Sequence, residues 1–376
     1  MSRAPVDAPN PQPPEDDDDD EMPRVVITRR RALLFGVFVL ASVAFLYYGL
    51  PKLAGFSDSW KRLHDGDPIW LVVALLLECL SFGGYVMLFR TVFVRDEPDR
   101  IGWRASYEIT MAGLAATRLF AAAGAGGIAL TAWALRRSGM ERRLVAVRLV
   151  AFTAVLYSVY MGALVIFGFG LYFGVLEGPG PFGVTIVPAV FALILWGVFV
   201  GVTLLPGDTE RRIEHWAQGS GRFAKIMARA VSVPASGAEG VRLAFRMAGD
   251  REFGLLGAVA WWGFDIATLW ACFHAYAPGN PPPFSVIVMA YFVGMLANTL
   301  PLPGGIGGVD GGMIGAFIAF DVSGSYATVA VLTYRAFAFW LPTIPGAVAY
   351  FQLRRTVAGW REDRGGGAAE AAVARA

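Results

Sequence analysis

The feature that most constrains this chain is a series of long apolar segments, each close to the length that crosses a bilayer. A helix needs roughly 20 apolar residues to span the hydrocarbon core. The chain is 56% apolar and only 16% charged, whereas soluble domains are about 45–50% apolar and about 25% charged. The sequence therefore predicts an all-α integral membrane protein. The eight segments are 32–50, 69–89, 106–135, 146–175, 183–205, 253–276, 284–320 and 326–351.

Basic residues in the loops indicate the orientation, because Arg and Lys concentrate on the cytoplasmic side of a membrane. Residues 24–31 hold four arginines, residues 352–364 hold four more, and the polar segment 206–252 has eight basic residues. The loops 176–182 and 277–283 have none. We therefore expect a multi-pass protein of the cell membrane with both termini in the cytoplasm.

Two of the eight segments do not fit a single crossing. Five arginines follow segment 106–135, although a crossing there would place them outside the cell. No basic residue follows segment 284–320, although a crossing there would place the next link inside. Both conflicts disappear if each segment enters the bilayer, turns and returns on the same side. The sequence therefore predicts about six full spans plus two re-entrant helical hairpins, which open to opposite faces.

Both hairpins have a glycine-rich turn, and the two turns are similar. GAGGI at 124–128 matches GIGGV at 305–309 at an offset of 181 residues. Inverted repeats with broken helices near the midplane are typical of transporters, so we expect the hairpins to form an inverted repeat. Proline ends a helix and glycine permits a tight turn. The predicted turn residues are Gly124, Gly126, Gly127, Pro301, Pro303, Gly304, Gly305, Gly307 and Gly308.

Ionisable residues within the apolar segments are candidates for function, because a charge at this depth is costly. Two interpretations of them remain open. One is salt bridging between helices, Glu78 with Arg118 and Asp265 with Arg335. The other is a polar cavity in which the arginines bind a phosphate. Asp310 caps the returning helix, lines the cavity, or does both. The predicted substrate-binding residues are Arg118, Asn298, Asp310, Arg335, Glu78 and Asp265.

The remaining segments divide the chain into a membrane domain and its appendages. Residues 1–28 are acidic and proline-rich, so we expect a disordered tail before the membrane domain 29–355, and a flexible tail at 356–376. Within 206–252, apolar residues such as Ile213, Trp216 and Phe223 lie among basic ones. This pattern favours either amphipathic helices on anionic lipid or solvated loop helices.

Motifs of common enzymes and cofactor sites are absent from the sequence. It has no GxxxxGK[ST], HExxH or GxSxG pattern, and its three histidines are scattered. We therefore expect a protein that is not an enzyme and has no cofactor, metal ion or nucleic-acid partner.

The second turn carries a family resemblance. LPLPGGIGGVDGGMIGAF, residues 300–317, resembles the P-G-G-[LI]-G-x-x-E motif of the lysylphosphatidylglycerol synthase transmembrane family, also called flippase-like or UPF0104. Asp310 stands at the acidic position, and the resemblance extends over roughly residues 30–355. The first half departs from the family pattern, since Ala122 and Ala129 stand where Pro303 and Asp310 stand in the second half.

The resemblance implies a function in lipid transport. In such a family the membrane domain moves an aminoacylated phospholipid between leaflets, and a separate soluble domain makes it. Only about 25 residues follow the last segment here. We therefore expect a stand-alone translocator of a phospholipid or lipid-linked headgroup, or one that works with a separate lipid-modifying enzyme.

Two alternatives to a translocator remain open. One is a proton-coupled secondary transporter of a small solute, with Glu78 or Asp265 as the proton carrier. The other is a non-transporting accessory subunit of an envelope-lipid synthesis complex.

Overall fold

The computed structural model describes residues 65–95, 101–119, 125–203, 237–276, 281–297 and 307–373. This part of the chain is all-helical, as the sequence predicts. The first predicted span, 32–50, and much of the basic segment 206–252 lie outside the described residues. The same holds for five of the predicted turn residues, Gly124, Pro301, Pro303, Gly304 and Gly305.

The described residues form eleven α-helices. A 3-10 turn at Phe253–Leu255 precedes α7, and a π-helical turn at Ala336–Trp340 joins α10 to α11. The helices are α1 Pro68–Phe93, α2 Trp103–Leu119, α3 Ala125–Arg137, α4 Arg142–Tyr172, α5 Phe182–Thr203, α6 237–249, α7 Leu256–Tyr276, α8 Phe284–Leu296, α9 Gly308–Ala319, α10 Gly324–Arg335 and α11 Leu341–Val373.

Five helical stretches are long and apolar enough to cross a membrane, and they coincide with five of the six predicted spans. They are α1, α4, α5, α7 with its 3-10 turn, and the continuous stretch from α10 to Trp360 in α11. The protein is therefore a multi-pass membrane protein. Helix α11 continues to Val373, which is within the segment 356–376 that the sequence predicts as a tail.

The predicted first hairpin consists of two helices, α2 and α3, that pack closely against each other. A Cβ atom added to Gly127 would lie 2.5 Å from the carbonyl oxygen of Gly113 and 2.2 Å from Oγ1 of Thr117. One added to Gly113 would lie 3.2 Å from Oγ1 of Thr131. Positions late in α2 thus face positions early in α3, so the two helices are antiparallel.

The predicted second hairpin, α8 and α9, is built in the same way. A Cβ atom on Gly294 would lie 2.7 Å from the backbone nitrogen of Met313, and one on Gly312 would lie 3.1 Å from the Gly294 carbonyl oxygen. The two helices have 13 and 12 residues, which gives lengths of about 18–20 Å. The hydrocarbon core is about 30 Å thick. Neither helix crosses it alone, and the two fold against each other instead of forming one rod.

The offset of 181 residues between the two glycine turns also relates the helices around them. Trp103 and Phe284, the first residues of α2 and α8, correspond to each other at this offset. The close-packed glycines Gly113 and Gly294 do so as well. Arg142, the first residue of α4, corresponds to the position immediately before α10. The repeat therefore extends from α1–α4 to α7–α10.

The two equivalent helices α1 and α7 pack against each other antiparallel at the centre of the fold. The backbone nitrogen of Asp67 donates to the carbonyl oxygen of Ala275 (2.8 Å), and Oγ of Ser81 donates to that of Trp261 (2.8 Å). Gly84 and Gly257 bring the backbones together, since a Cβ atom on Gly257 would lie 2.5 Å from the Gly84 oxygen. Antiparallel contact between repeat-equivalent helices is the arrangement that a two-fold axis in the membrane plane requires.

The outer face of the bundle is apolar. Helix α5 exposes a row of large side chains that includes Val187, Phe191, Ile194 and Val198. A monomeric soluble protein rarely exposes so large a continuous apolar patch. We therefore assign this face to the lipid.

The α1–α7 contact predicts unequal effects of alanine at two glycines of one helix. Gly257→Ala is expected to lower the free energy of unfolding by about 1–3 kcal/mol, because the added methyl meets backbone atoms of α1. Gly263→Ala is the matched control, because a Cβ atom there meets nothing within 4 Å. Thermal unfolding of the detergent-purified protein measures both. Equal midpoints for the two variants would contradict the close backbone contact.

The predicted topology places the two ends of α4 on opposite sides of the membrane. We expect Glu141→Cys, before α4, to be protected from a membrane-impermeant maleimide added to intact cells, and Glu177→Cys, after α4, to react with it. Both side chains are exposed. The background carries Cys79→Ala and Cys272→Ala, and permeabilised cells serve as the positive control. Labelling of Glu141→Cys in intact cells would show that the first hairpin is placed on the wrong side.

Candidate functional site

Asp310 lies at the start of α9 and is fully buried. Its Oδ2 accepts a hydrogen bond from the backbone nitrogen of Gly307 (2.8 Å). Gly307 precedes the helix with φ of 82°, a left-handed conformation that glycine adopts without strain. The predicted capping role of Asp310 is therefore confirmed, and this role occupies only one of its carboxylate oxygens.

The other oxygen of Asp310 pairs with an arginine. Arg335 Nε lies 2.6 Å from Asp310 Oδ1, and both residues are buried. Asp310 lies in the first turn of α9, where the helix dipole favours a negative charge. Arg335 is the last residue of α10, directly before the π-helical turn. The expected pairing of Asp265 with Arg335 is wrong, because Arg335 forms its ion pair with Asp310.

Arg118, near the end of α2, connects the first hairpin to the second half of the molecule. Its Nη2 donates to the carbonyl oxygen of Ala338 (2.8 Å) and its Nη1 to that of Phe339 (3.3 Å). Both acceptors lie in the π-helical turn that follows Arg335. A π-turn interrupts the regular helical ladder and is frequent at functional sites.

The ring of Phe339 lies beside both arginines. The guanidinium carbon of Arg335 is 4.5 Å from the ring centroid, and that of Arg118 is 5.5 Å from it. Aromatic faces attract cations at such distances. Phe339 therefore holds two like charges near each other without neutralising either of them.

Asp265, in the middle of α7, is bound by two tyrosines that the sequence analysis did not single out. The hydroxyl of Tyr291 on α8 donates to Oδ2, and the hydroxyl of Tyr334 on α10 lies 3.0 and 3.1 Å from the two carboxylate oxygens. All three residues are buried. Both tyrosines are in strongly apolar helices, where a phenolic hydroxyl needs a partner. A tyrosine within an apolar segment needs a hydrogen-bond partner, and this need is the sequence signal that could have identified both residues.

Glu78, in the middle of α1, is 3% exposed and faces Asp265 across the α1–α7 interface. Its electrostatic partners are Asp265 and Arg118. The expected pairing of Glu78 with Arg118 is wrong as a direct contact, because the Arg118 guanidinium hydrogen-bonds the π-turn carbonyls instead. Glu78 Oε2 is buried and has no hydrogen-bond partner among the described residues.

The structure thus brings five of the six predicted site residues into one buried cluster, which we call the polar core: Glu78, Arg118, Asp265, Asp310 and Arg335. Asn298 lies outside the described residues. Among the described turn glycines, Gly127 packs against α2, Gly307 directly precedes α9, and Gly308 begins it. Gly126 lies within the first turn of α3. Across the described ranges, no three His, Cys, Asp or Glu side chains are grouped as metal ligands.

A double-mutant cycle tests the ion pair of the polar core. Asp310→Asn keeps an oxygen that can accept from Gly307 but removes the charge, and Arg335→Gln removes the opposite charge. We expect each single variant to lose about 3–5 kcal/mol of unfolding free energy, because it leaves one buried charge uncompensated. The double variant is expected to lose less than the sum of the two. Additive losses in thermal or denaturant unfolding would show that the two side chains do not interact.

Comparison with known proteins is consistent with this architecture. The family described as "Lysylphosphatidylglycerol synthase TM region" matches residues 33–346. A UPF0104 membrane protein of Methanothermobacter thermautotrophicus is 23% identical over 331 residues, which cover 85% of this chain and 94% of the relative. A second match, to a protein of the same name and organism, is 31% identical over 104 residues, 27% of this chain and 29% of the relative. The described residues contain no soluble synthase domain. The chain, matched over most of its length, belongs to the lysylphosphatidylglycerol synthase transmembrane-region family.

Proposed function

We propose that this protein moves the headgroup of a phospholipid or lipid-linked sugar across the cell membrane and is not itself an enzyme. The observation that carries the proposal is the pair of arginines beside Phe339, Arg118, which is half-buried, and Arg335, which is buried. Guanidinium groups match the geometry of phosphate and bind it by two parallel hydrogen bonds. Both come from elements next to a break in a helix.

The contacts that each arginine makes now are ones that a phosphate can replace. Arg335 pairs with the carboxylate of Asp310, and Arg118 donates to backbone carbonyls. A headgroup phosphate that took both guanidinium groups would leave Asp310 with its Gly307 contact and the dipole of α9. The free energy lost when Arg335 leaves Asp310 is therefore partly recovered within the protein. Exchange of the carboxylate for a phosphate requires such a recovery.

The half-length hairpins supply a route to the polar core. Irregular backbone at membrane depth is tolerated only where it is buried or lines a wet cavity. Each hairpin is open to one face of the predicted topology, and both end beside the polar core. A headgroup would enter from one face and leave by the other while its acyl chains stay in the bilayer, next to the apolar outer surface of the bundle.

The basic segment 206–252 and the chain termini belong to the cytoplasmic side in this proposal. Anionic phospholipid of the inner leaflet would attract the basic segment. A separate lipid-modifying enzyme would supply the substrate on that side.

A second candidate function is proton-coupled transport of a small solute. One specific observation favours it, which is that the carboxyl groups of Glu78 and Asp265 face each other inside the bundle. Buried acidic pairs in membrane proteins are typical of proton pathways.

The lipid proposal is tested with protein reconstituted into vesicles of phosphatidylethanolamine and phosphatidylglycerol that contain fluorescent phosphatidylglycerol. Reduction of the outer-leaflet dye by dithionite reports the lipid that has moved between leaflets. We expect Asp310→Asn/Arg335→Gln, and separately Arg118→Gln, to slow this movement about tenfold or more, because a charge-assisted hydrogen bond contributes about 1.5–3 kcal/mol.

The matched control is Arg143→Gln. Arg143 is an exposed arginine that pairs with Glu239 far from the polar core, so its loss should leave the rate unchanged. An Arg118→Gln rate equal to that of the wild-type protein would remove Arg118 from the lipid path. Solute uptake without lipid movement would favour the second candidate.

A further inference from the structure

Glu78 and Asp265 meet at the centre of the molecule, on the two repeat-equivalent helices. Ser81 on α1 bonds the backbone of Trp261 on α7, and Thr268 on α7 bonds that of Ala74 on α1. The two acidic residues lie between these contacts, at facing positions of the antiparallel pair, and their carboxyl groups are close enough to share a hydrogen bond. Both are more than nine-tenths buried.

The hydrogen bonds around Asp265 require it to be an acceptor. The hydroxyl groups of Tyr291 and Tyr334 each have one proton to donate, and both are directed at Asp265. An ionised carboxylate has only acceptor positions and fits these two donors. Asp265 therefore carries the negative charge of the pair.

Glu78 has the opposite requirement. Its Oε2 has no hydrogen-bond partner among the described residues, although it is buried. An ionised Glu78 would place a second negative charge beside Asp265 and leave this oxygen without a donor, and both are costly in an apolar surrounding. A protonated Glu78 has an O–H group that can donate to Asp265, which removes both costs.

The polar neighbours of Glu78 direct hydrogen bonds elsewhere in this conformation. Thr268 lies beside Glu78, and its hydroxyl donates to the carbonyl oxygen of Phe264 (2.9 Å). Arg118 is the cation that faces it, from α2, and both of its terminal nitrogens donate to the π-turn carbonyls. Cys272 on α7 and Tyr334 on α10 are the remaining titratable neighbours. The Tyr334 hydroxyl is already committed to Asp265.

We infer that Glu78 and Asp265 form a binding site for one proton, which Glu78 carries and shares with the Asp265 carboxylate. When that proton leaves, two adjacent carboxylates remain, and Arg118 is the cation that faces them. Release of the proton therefore draws Arg118 away from the Ala338 and Phe339 carbonyls and toward Glu78. Proton occupancy thus determines whether Arg118 is held at the π-turn.

The movement of Arg118 links the proton to the headgroup site, and this link rests on the proposed function. The proton site itself does not depend on lipid movement. It is tested on the purified full-length protein in detergent, where no transport is measured, so the failure of one proposal is distinguishable from the failure of the other.

The test is infrared spectroscopy of the carbonyl stretch of a neutral carboxylic acid at neutral pH. We expect the wild-type protein to show this band and Glu78→Gln to lose it. The control variant is Glu108→Gln. Glu108 is another fully buried glutamate, but Arg104 and Thr356 donate to its two carboxylate oxygens, so its replacement should leave the band unchanged. A wild-type spectrum without a band that Glu78→Gln removes would overturn the inference.

A second measurement, the thermal unfolding midpoint, shows whether each variant is still folded. Glutamine has nearly the shape of a neutral glutamic acid, so Glu78→Gln should leave the thermal unfolding midpoint at neutral pH unchanged. Glu108→Gln should lower it, because an ion pair is broken. A larger loss for Glu78→Gln than for Glu108→Gln would show that Glu78 is ionised and would overturn the inference. So would disappearance of the band when Na⁺ replaces choline, because that result assigns the pair to a metal cation.

Discussion

A bilayer offers no water to a polar group, and the interior of this protein is organised by that constraint. Each charge in the polar core has its partner within the molecule. Asp310 binds Gly307 and Arg335, Arg118 binds the π-turn carbonyls, and Asp265 binds two tyrosines. Two hairpin-helix ends contribute to the polar core, through Arg118 near the end of α2 and Asp310 at the start of α9.

The fold also requires that helix backbones approach one another closely, and glycine contacts make this approach possible. Gly84 with Gly257, Gly113 with Gly127, and Gly294 with Gly312 bring three helix pairs together. Small residues at such contacts permit tight packing where no hydrophobic effect acts between helices. The central pair positions Glu78 opposite Asp265, and the two hairpin pairs position Arg118 beside Phe339 and Asp310 beside Arg335. Packing and site geometry thus depend on the same residues.

Much of this arrangement could be predicted from the sequence, because charge and hydrophobicity act on long segments. The distribution of arginines and the 181-residue offset indicated two hairpins, and burial of a charge marked Glu78, Arg118, Asp265, Asp310 and Arg335. The pairing among them could not be predicted, since it depends on side-chain directions of a few ångströms. The assignment of Arg335 to Asp265 was wrong for this reason. Tyr291, Tyr334 and the π-turn were missed because they are ordinary in composition and become polar partners only through the fold.

The two halves of the repeat share their helices but have diverged in their charges. At the positions of Asp310 and Arg335, the first half has Ala129 and Ala154. An even distribution would present identical surroundings to a molecule approaching from either leaflet. Here the scaffold is symmetric but its interior charges are not, since Glu78 and Arg118 of the first half correspond to Val259 and Thr299 of the second. The interior therefore presents different electrostatic surroundings to the two leaflets.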